Sequence, residues 1–199
     1  MLASQGVSPV PLTKFLIFED LVSGYKNNTK STCYDNSMNA YLLVLEITPM
    51  DVGNVYKALP LHCTLIHWFW LDLDPASLTA RLESLLKDTP SISLKSGKEA
   101  VFTGKTKHGD IPVTVNTVEL TADLKSLHFR ICEMLDALGV RYGAPQYVKN
   151  GYSPHVTHQK GQKFLLGTTH QSTALYLIQA DAPEYGNDRY ICSKIELND

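Results

Sequence analysis

The sequence contains two copies of a short pattern in which a histidine is followed by a threonine two residues later. The first copy, HCTL, places His62 before Thr64, and the second copy, HVTH, places His155 before Thr157. In a β-strand, residues two positions apart point to the same side, so each copy would present an imidazole beside a hydroxyl. Imidazoles titrate near neutral pH, and hydroxyls donate hydrogen bonds. The pattern therefore predicts two acid–base groups and two donors directed at one cavity.

A third histidine–serine tripeptide shows why the pattern alone is weak evidence. His170-Gln171-Ser172 has the same spacing, and a chain with seven histidines can contain such a tripeptide by chance. The first two copies each follow a proline-containing turn, and the first continues into a strongly apolar stretch. The third lies among the polar residues GTTHQST, which favour a loop. We therefore interpret the third copy as a chance occurrence.

Apolar patterning predicts the elements that would position these residues. Residues 1–13 are predicted to be an irregular arm, residues 23–40 a long loop, residues 51–58 a helical turn or two, and residues 142–153 a second loop. Helices are predicted from residue 74 or 75 to just before Pro90, and over 122–138. Strands are predicted within 14–22, over 41–47 and 61–71, as two or three stretches within 91–120, from His155 onward, and over 174–180 and 190–197.

With HCTL and PHVT about 90 residues apart and strand patterns around both, the chain resembles the two-histidine (2H) phosphoesterase superfamily over residues 40–197. This superfamily includes 2′-5′ RNA ligase-like proteins and cyclic phosphodiesterases. The resemblance implies an α+β fold with two pseudo-symmetric lobes, whose antiparallel sheets flank a central cleft and whose helices lie outside. It implies one domain over 1–199, with an N-terminal extension at 1–40 and lobes at about 41–120 and about 121–199. The second copy departs from the family pattern, since His158 stands where a hydrophobic residue is usual.

The resemblance also implies an activity and a site. The expected activity is metal-independent hydrolysis of a small nucleotide phosphodiester, whether 2′,3′-cyclic, 2′-5′-linked or a cyclic oligonucleotide, without a cofactor. His62 and His155 would be the catalytic acid–base pair, and Thr64 and Thr157 would bind the phosphate. Imidazoles with a pKa near 6.5 can be held one neutral and one protonated at cellular pH.

Neighbouring residues give further candidates, each with an alternative. Tyr152 is a candidate for substrate binding through base stacking, or else a structural loop residue. Lys160, with Lys163 nearby, is a candidate for drawing phosphate to the cleft, or else a solvated lysine. Trp68 and Trp70 fall on the His62 face by alternation, but core packing is the favoured interpretation.

No metal site is expected from the H-x-x-H formed by His155 and His158, because residues three apart on a strand point to opposite faces. The four cysteines show no paired spacing, so we expect reduced thiols.

The composition limits the partners. Hydrophobic residues make up 44% and charged residues 19%, which is typical of a globular protein, and the net charge is −2. A protein that coats a long nucleic acid usually has a basic excess, so the expected partner is a nucleotide or a short RNA. No secretory leader or membrane span is evident, and we expect a cytoplasmic monomer.

Two other function classes stay open. The first is a non-catalytic RNA- or nucleotide-binding module that retains the cleft. The second is a structural or partner-binding protein in which the repeated tripeptide is coincidental.

Overall fold

The computed structural model of the chain describes residues 16–18, 38–106, 109–180 and 188–198, and for residues 16–18, 104–106 and 109–110 it describes the backbone alone. Its helices are α1 (Pro75–Leu86) and α2 (Ala122–Ala137). Short 3-10 segments lie at Pro145–Tyr147 and Lys149–Gly151. Its strands are β1 (Leu16–Phe18), β2 (Asn39–Glu46), β3 (Val55–Tyr56), β4 (His62–Leu71), β5 (Ile92–Thr106), β6 (Gly109–Val118), β7 (Arg141–Tyr142), β8 (His155–Thr157), β9 (Thr169–Ser172), β10 (Ala174–Ala180) and β11 (Arg189–Glu196).

The described strands form two sheets, and each sheet takes strands from both halves of the chain. The first sheet has six strands in the order β3-β11-β10-β2-β4-β7. The second has the order β1-β5-β6-β8, with β9 also paired to β5. Neighbouring strands run antiparallel except β1, which pairs parallel with β5. The expected α+β architecture with two mainly antiparallel sheets is therefore confirmed, whereas the two sheets do not coincide with the two halves of the sequence.

One apolar core underlies both sheets and both helices. Residues of β2 and β10 on one face of the first sheet, including Leu43 and Leu177, pack in the same cluster as Leu78 of α1 and Ile131 of α2. Val156 of the second sheet belongs to that cluster as well. Full burial of a large aliphatic side chain contributes about 1.5–3 kcal/mol each, so this cluster is the main attachment between helices and sheets.

The helices begin where side-chain caps satisfy their first backbone N–H groups. Asp74 accepts a hydrogen bond from the Ser77 amide at 3.0 Å, ahead of a proline at the first turn of α1. The Thr121 hydroxyl accepts from the Leu124 amide at 3.2 Å at the start of α2. Both predicted helices are confirmed.

Several sequence predictions need correction. The helical turn predicted over 51–58 is wrong, because the Asn54 amide bonds back to the Asp51 carbonyl at 3.2 Å in a tight turn that leads into β3. Gly53 has a φ of 87° in this turn, which favours glycine. The loop predicted around His170 is also wrong, since these residues form β9. The predicted arm at 1–13 and most of the loop at 23–40 lie outside the described residues, and β2 already begins at Asn39.

Candidate active site

The two motif strands belong to different sheets and are joined directly. His62 is the first residue of β4. His155 is the first residue of β8, which lies at the opposite end of the second sheet's strand order from β1. The Tyr152 hydroxyl donates to the Thr64 carbonyl at 3.1 Å. The Cys63 thiol lies close to the backbone of His155. The structure thus brings together two motifs that are about 90 residues apart in the sequence.

Within each motif the middle residue packs inward, and the histidine and threonine lie on the other face. Cys63 and Val156 are fully buried in the main core cluster. The four motif histidines and threonines are half-buried: His62, Thr64, His155 and Thr157. The helices pack against the core side, so the motif side chains lie on the face away from them.

Two register irregularities lie between β2 and β4, and together they leave the later residues of β4 on the same two faces as the motif residues. Val44 pairs with Thr64 and Ala40 pairs with Trp70, but register shifts lie between these two pairs. Their combined effect returns Trp68 and Trp70 to the face of His62. Trp68 is buried in a second apolar cluster on that face, and the guanidinium of Arg141 lies 4.8 Å from the centre of the Trp70 ring. The core-packing interpretation of the tryptophans is therefore supported.

Both motif histidines are held in the same tautomer by the same local contact. His62 Nδ1 lies 2.7 Å from the Pro60 carbonyl, and His155 Nδ1 lies 3.0 Å from the Ser153 carbonyl. A carbonyl oxygen only accepts, so each Nδ1 must carry the hydrogen and donate. The Nε2 atom of each neutral ring consequently carries a lone pair and is the atom left for proton transfer.

The electrostatic surroundings disfavour protonation of both histidines. The pKa of His62 is lowered to about 4, chiefly by burial; the Pro60 hydrogen bond opposes this shift, and the positive charges of His155 and Arg189 add to it. Burial also lowers the pKa of His155, and the Ser153 hydrogen bond partly opposes this shift. Both pKa values therefore lie below the ordinary imidazole value of 6.5, which favours the neutral form of both rings in the free protein.

Several residues around the motifs carry no strong sequence signal. His67 lies further along β4, and burial together with the charge of His155 lowers its pKa to about 4. The Phe102 ring of β5 stands edge-on to His155, with ring centres 5.0 Å apart. Glu46 pairs with His62 across β2 and β4, is 6% exposed, and accepts hydrogen bonds from Thr173 and Tyr176. A lone carboxylate in the apolar run YLLVLEI was the signal that could have identified Glu46.

The weaker candidates lie in different surroundings from those of the motifs. Tyr152 stacks on His128, with ring centres 4.0 Å apart and planes 5° apart, and its hydroxyl is bonded as described above. Lys160 is exposed in a tight turn with a φ of 49°, and Lys163 is exposed just after it. Neither lysine takes part in the contacts that join the two motifs.

His158 lies on the opposite face of its strand from His155. Its Nε2 is 2.7 Å from the Asn116 side-chain oxygen and 4.0 Å from Glu99. Asn116 pairs with the core residue Val156, which places His158 on the core side. Within the described ranges, no group of three or more His, Cys, Asp or Glu side chains is arranged to hold a metal ion.

The third tripeptide is held elsewhere in the second sheet. His170 pairs with Leu94 at the start of β5, whereas His155 pairs with Thr117 of β6.

No described helix is long and apolar enough to cross a membrane.

Comparison with known proteins identifies a family. The sequence pattern of the 2′-5′ RNA ligase superfamily matches residues 50–174. A search of curated protein sequences gives no significant match. Similar solved structures include Escherichia coli LigT complexed with NADP+, at 13% identity and a TM-score of 0.47, covering 82% of this chain and 99% of LigT. The protein TT0787 of Thermus thermophilus is 15% identical with a TM-score of 0.44, covering 80% and 98%. A protein described only as a phosphoesterase is 12% identical with a TM-score of 0.46, covering 81% and 99%.

Proposed function

The chain belongs to the 2′-5′ RNA ligase superfamily, and from this premise we propose that it is a metal-independent phosphodiesterase acting on a small nucleotide phosphodiester. The candidate substrates are 2′,3′-cyclic, 2′-5′-linked and cyclic-oligonucleotide phosphodiesters. The single observation that carries the proposal is the matched tautomer of His62 and His155, each fixed by a carbonyl two residues earlier. In both rings Nδ1 is occupied by a backbone carbonyl and Nε2 is left for proton transfer, which suits a reaction that needs one base and one acid.

The proposed reaction uses both imidazoles and both threonines. The neutral histidine takes a proton from the attacking water at Nε2, while the new phosphorus–oxygen bond forms. The protonated histidine gives its Nε2 proton to the leaving oxygen, as the old phosphorus–oxygen bond breaks. Thr64 and Thr157 donate hydrogen bonds to the non-bridging oxygens, where charge-assisted bonds contribute about 1.5–3 kcal/mol each.

Substrate binding supplies the acid in this scheme. In the free protein the neutral form of both histidines is favoured near pH 7, because both pKa values are lowered. A phosphodiester anion between the rings raises their pKa values, and the mutual repulsion that contributes to the low pKa of His62 keeps the second proton off. One proton is therefore shared by the pair in the complex.

The test is a hydrolysis panel of 2′,3′-cyclic mononucleotides, 3′,5′-cyclic nucleotides, 2′-5′ oligoadenylates and cyclic dinucleotides, each run with and without EDTA. We expect turnover of at least one substrate to survive EDTA. His62→Ala and His155→Ala should each lower kcat by about 100- to 10,000-fold, because each removes a proton-transfer group. The double variant should lose little more than either single variant, since the pair acts as a unit.

His170→Ala is the matched control, because His170 belongs to the same kind of tripeptide but pairs with the start of β5. It should keep wild-type kcat. Equal losses in His170→Ala and His155→Ala would contradict the assignment. Tight nucleotide binding without turnover of any substrate would favour a non-catalytic nucleotide-binding module instead.

A further inference from the structure

We propose that Tyr152, held by His128, is a positioning residue that fixes the second motif against the first. The proposal rests on the proposed function, because the positions being fixed are those of His62 and His155. It assigns Tyr152 a role in holding the protein's own backbone rather than in contacting substrate.

The hydroxyl of Tyr152 joins the two motifs. It donates to the Thr64 carbonyl at 3.1 Å, two residues beyond His62 in the first motif. Tyr152 itself lies three residues before His155, with the Ser153 carbonyl that holds the His155 ring between them. Any displacement of Tyr152 relative to β4 would therefore shift the carbonyl that orients His155.

Cys63 adds a second contact at the same point. Its thiol lies close to the Tyr152 side chain and to the backbone of His155. Burial raises the pKa of this thiol to about 12, so it remains a neutral thiol at physiological pH. Three groups from the two motif segments thus meet inside the protein.

His128 holds the Tyr152 ring in place. The two rings are parallel within 5° and their centres are 4.0 Å apart. His128 Nδ1 donates to the Leu65 carbonyl at 2.9 Å, and His128 Nε2 accepts from the Lys149 amide at 2.8 Å. Leu65 follows Thr64 in β4, and Lys149 precedes Tyr152, so His128 connects the same two segments a second time.

These contacts require one state of His128. The Leu65 carbonyl needs a donor at Nδ1 and the Lys149 amide needs an acceptor at Nε2, so the ring must be neutral and in a single tautomer. His128 is 1% exposed, and burial lowers its pKa, which favours the neutral form.

The turn before Tyr152 is built for this arrangement. Lys149 has a φ of 56°, a left-handed conformation that is uncommon for a residue other than glycine. A Cβ atom at Gly151 would clash with the Gln146 carbonyl oxygen, so only glycine fits there. The chain maintains a demanding backbone path that directs the Lys149 amide at His128 and places Tyr152 beside it.

Stacking of a substrate base on Tyr152 is less compatible with these contacts. One face of the Tyr152 ring is already covered by His128, and its hydroxyl is directed at the backbone of β4. A purely structural role would lower stability alone. The experiment must therefore separate positioning from both alternatives.

The experiment measures kcat and KM for Tyr152→Phe and Tyr152→Ala. Tyr152→Phe keeps the stacking but loses the hydrogen bond to Thr64, and should lower kcat by about three- to tenfold. Tyr152→Ala loses both contacts and should lower kcat by about 100-fold, because small displacements of reacting groups are costly. KM should change by less than about threefold in both.

Tyr41→Phe is the matched control. Tyr41 is a fully buried tyrosine whose hydroxyl also donates to one backbone carbonyl, that of Leu73 at 2.7 Å. Tyr41→Phe should lower the free energy of unfolding by about as much as Tyr152→Phe does, and it should keep the wild-type kcat. If Tyr152→Ala fails to fold, the kcat of Tyr152→Phe compared with that of Tyr41→Phe decides whether Tyr152 is a positioning residue.

A second measurement needs no substrate, and so separates this proposal from the proposed function. NMR titration of the imidazole protons should show the pKa of His155 rising toward 6.5 in Tyr152→Ala, because the displaced strand admits water. Tyr41→Phe should leave it unchanged. An unchanged His155 pKa together with wild-type kcat in the Tyr152 variants would overturn the proposal, and so would a large rise in KM at constant kcat. A wild-type protein that hydrolyses no substrate, yet shows the His155 shift, would count against the proposed function alone.

Discussion

The low pKa values of the motif histidines predict that kcat/KM and kcat have different pH optima. The profile of kcat/KM reports the free enzyme, whereas that of kcat reports the complex. In the free protein the pKa of His62 is about 4 and that of His155 is also below its ordinary value of 6.5. The active form carries one proton on the pair, and this form is most populated between the two macroscopic pKa values. The optimum of kcat/KM should therefore lie below pH 6.5.

The optimum of kcat should lie well above that of kcat/KM. A phosphodiester carries one negative charge, and a unit charge about 4 Å from an imidazolium contributes roughly 4 kcal/mol at an effective dielectric constant of about 20. One pKa unit corresponds to about 1.36 kcal/mol, so the bound anion should raise a histidine pKa by roughly 3 units. For His62 this is a rise from about 4 to roughly 7.

The assay measures kcat and kcat/KM from pH 4.5 to 8.5 with a phosphodiester whose charge is constant over that range. Calorimetric titration of a non-hydrolysable phosphodiester at pH 7, in buffers of different ionisation enthalpy, should show uptake of about half a proton or more, because a pKa of roughly 7 leaves His62 half protonated at that pH. Replacement of His62 or His155 by alanine should reduce that uptake. Coincident profiles with an optimum above pH 7, or binding without proton uptake, would refute the electrostatic reasoning.

Two further predictions follow from the same surroundings. His62 binds protons more weakly in the folded state (pKa about 4) than in the unfolded state (about 6.5), so stability present above pH 6.5 is lost as the pH falls toward 4. Between pH 6.5 and 4 the free energy of unfolding, measured by urea denaturation, should therefore fall by about 3 kcal/mol less in His62→Ala than in the wild type. Arg189→Gln removes a cation that lowers the pKa of His62, so NMR titration should show that pKa rising. An unchanged value would show that the charge of Arg189 does not act on His62.

The motif strands and both helices could be predicted because their signals are local. An alternating strand places His62 and Thr64 on one side whatever the rest of the chain does. The leucine spacing of α1 and α2 likewise depends only on helical periodicity. Local signals gave a wrong prediction where backbone pairing with a distant strand determines the structure. Residues 169–172 are polar enough for a loop, yet they form β9 because β5 supplies their backbone hydrogen-bond partners.

The surroundings of the motifs could not be predicted, because they depend on contacts between distant parts of the chain. The partner of the Tyr152 hydroxyl is 88 positions away, and the carbonyl that fixes His128 is 63 positions away. A backbone carbonyl is the same at every position, so the sequence carries no mark of which one a tyrosine or histidine will contact. The sequence therefore could not distinguish between the alternatives for Tyr152.

The two motifs are nearly equivalent in sequence but not in their surroundings. Each histidine has the same carbonyl contact, which fixes the chemistry available to it. His62 pairs across the sheet with a buried glutamate and lies within the influence of the charge of Arg189, whereas the ring of His155 packs at a steep angle against the Phe102 ring. A shared proton distributes between two such rings according to these unequal environments rather than according to the motif. In the proposed reaction, the division of labour between acid and base would therefore be set by residues outside the motifs, and the lowered pKa values of both rings in the free protein would make the charge of the arriving phosphate decisive.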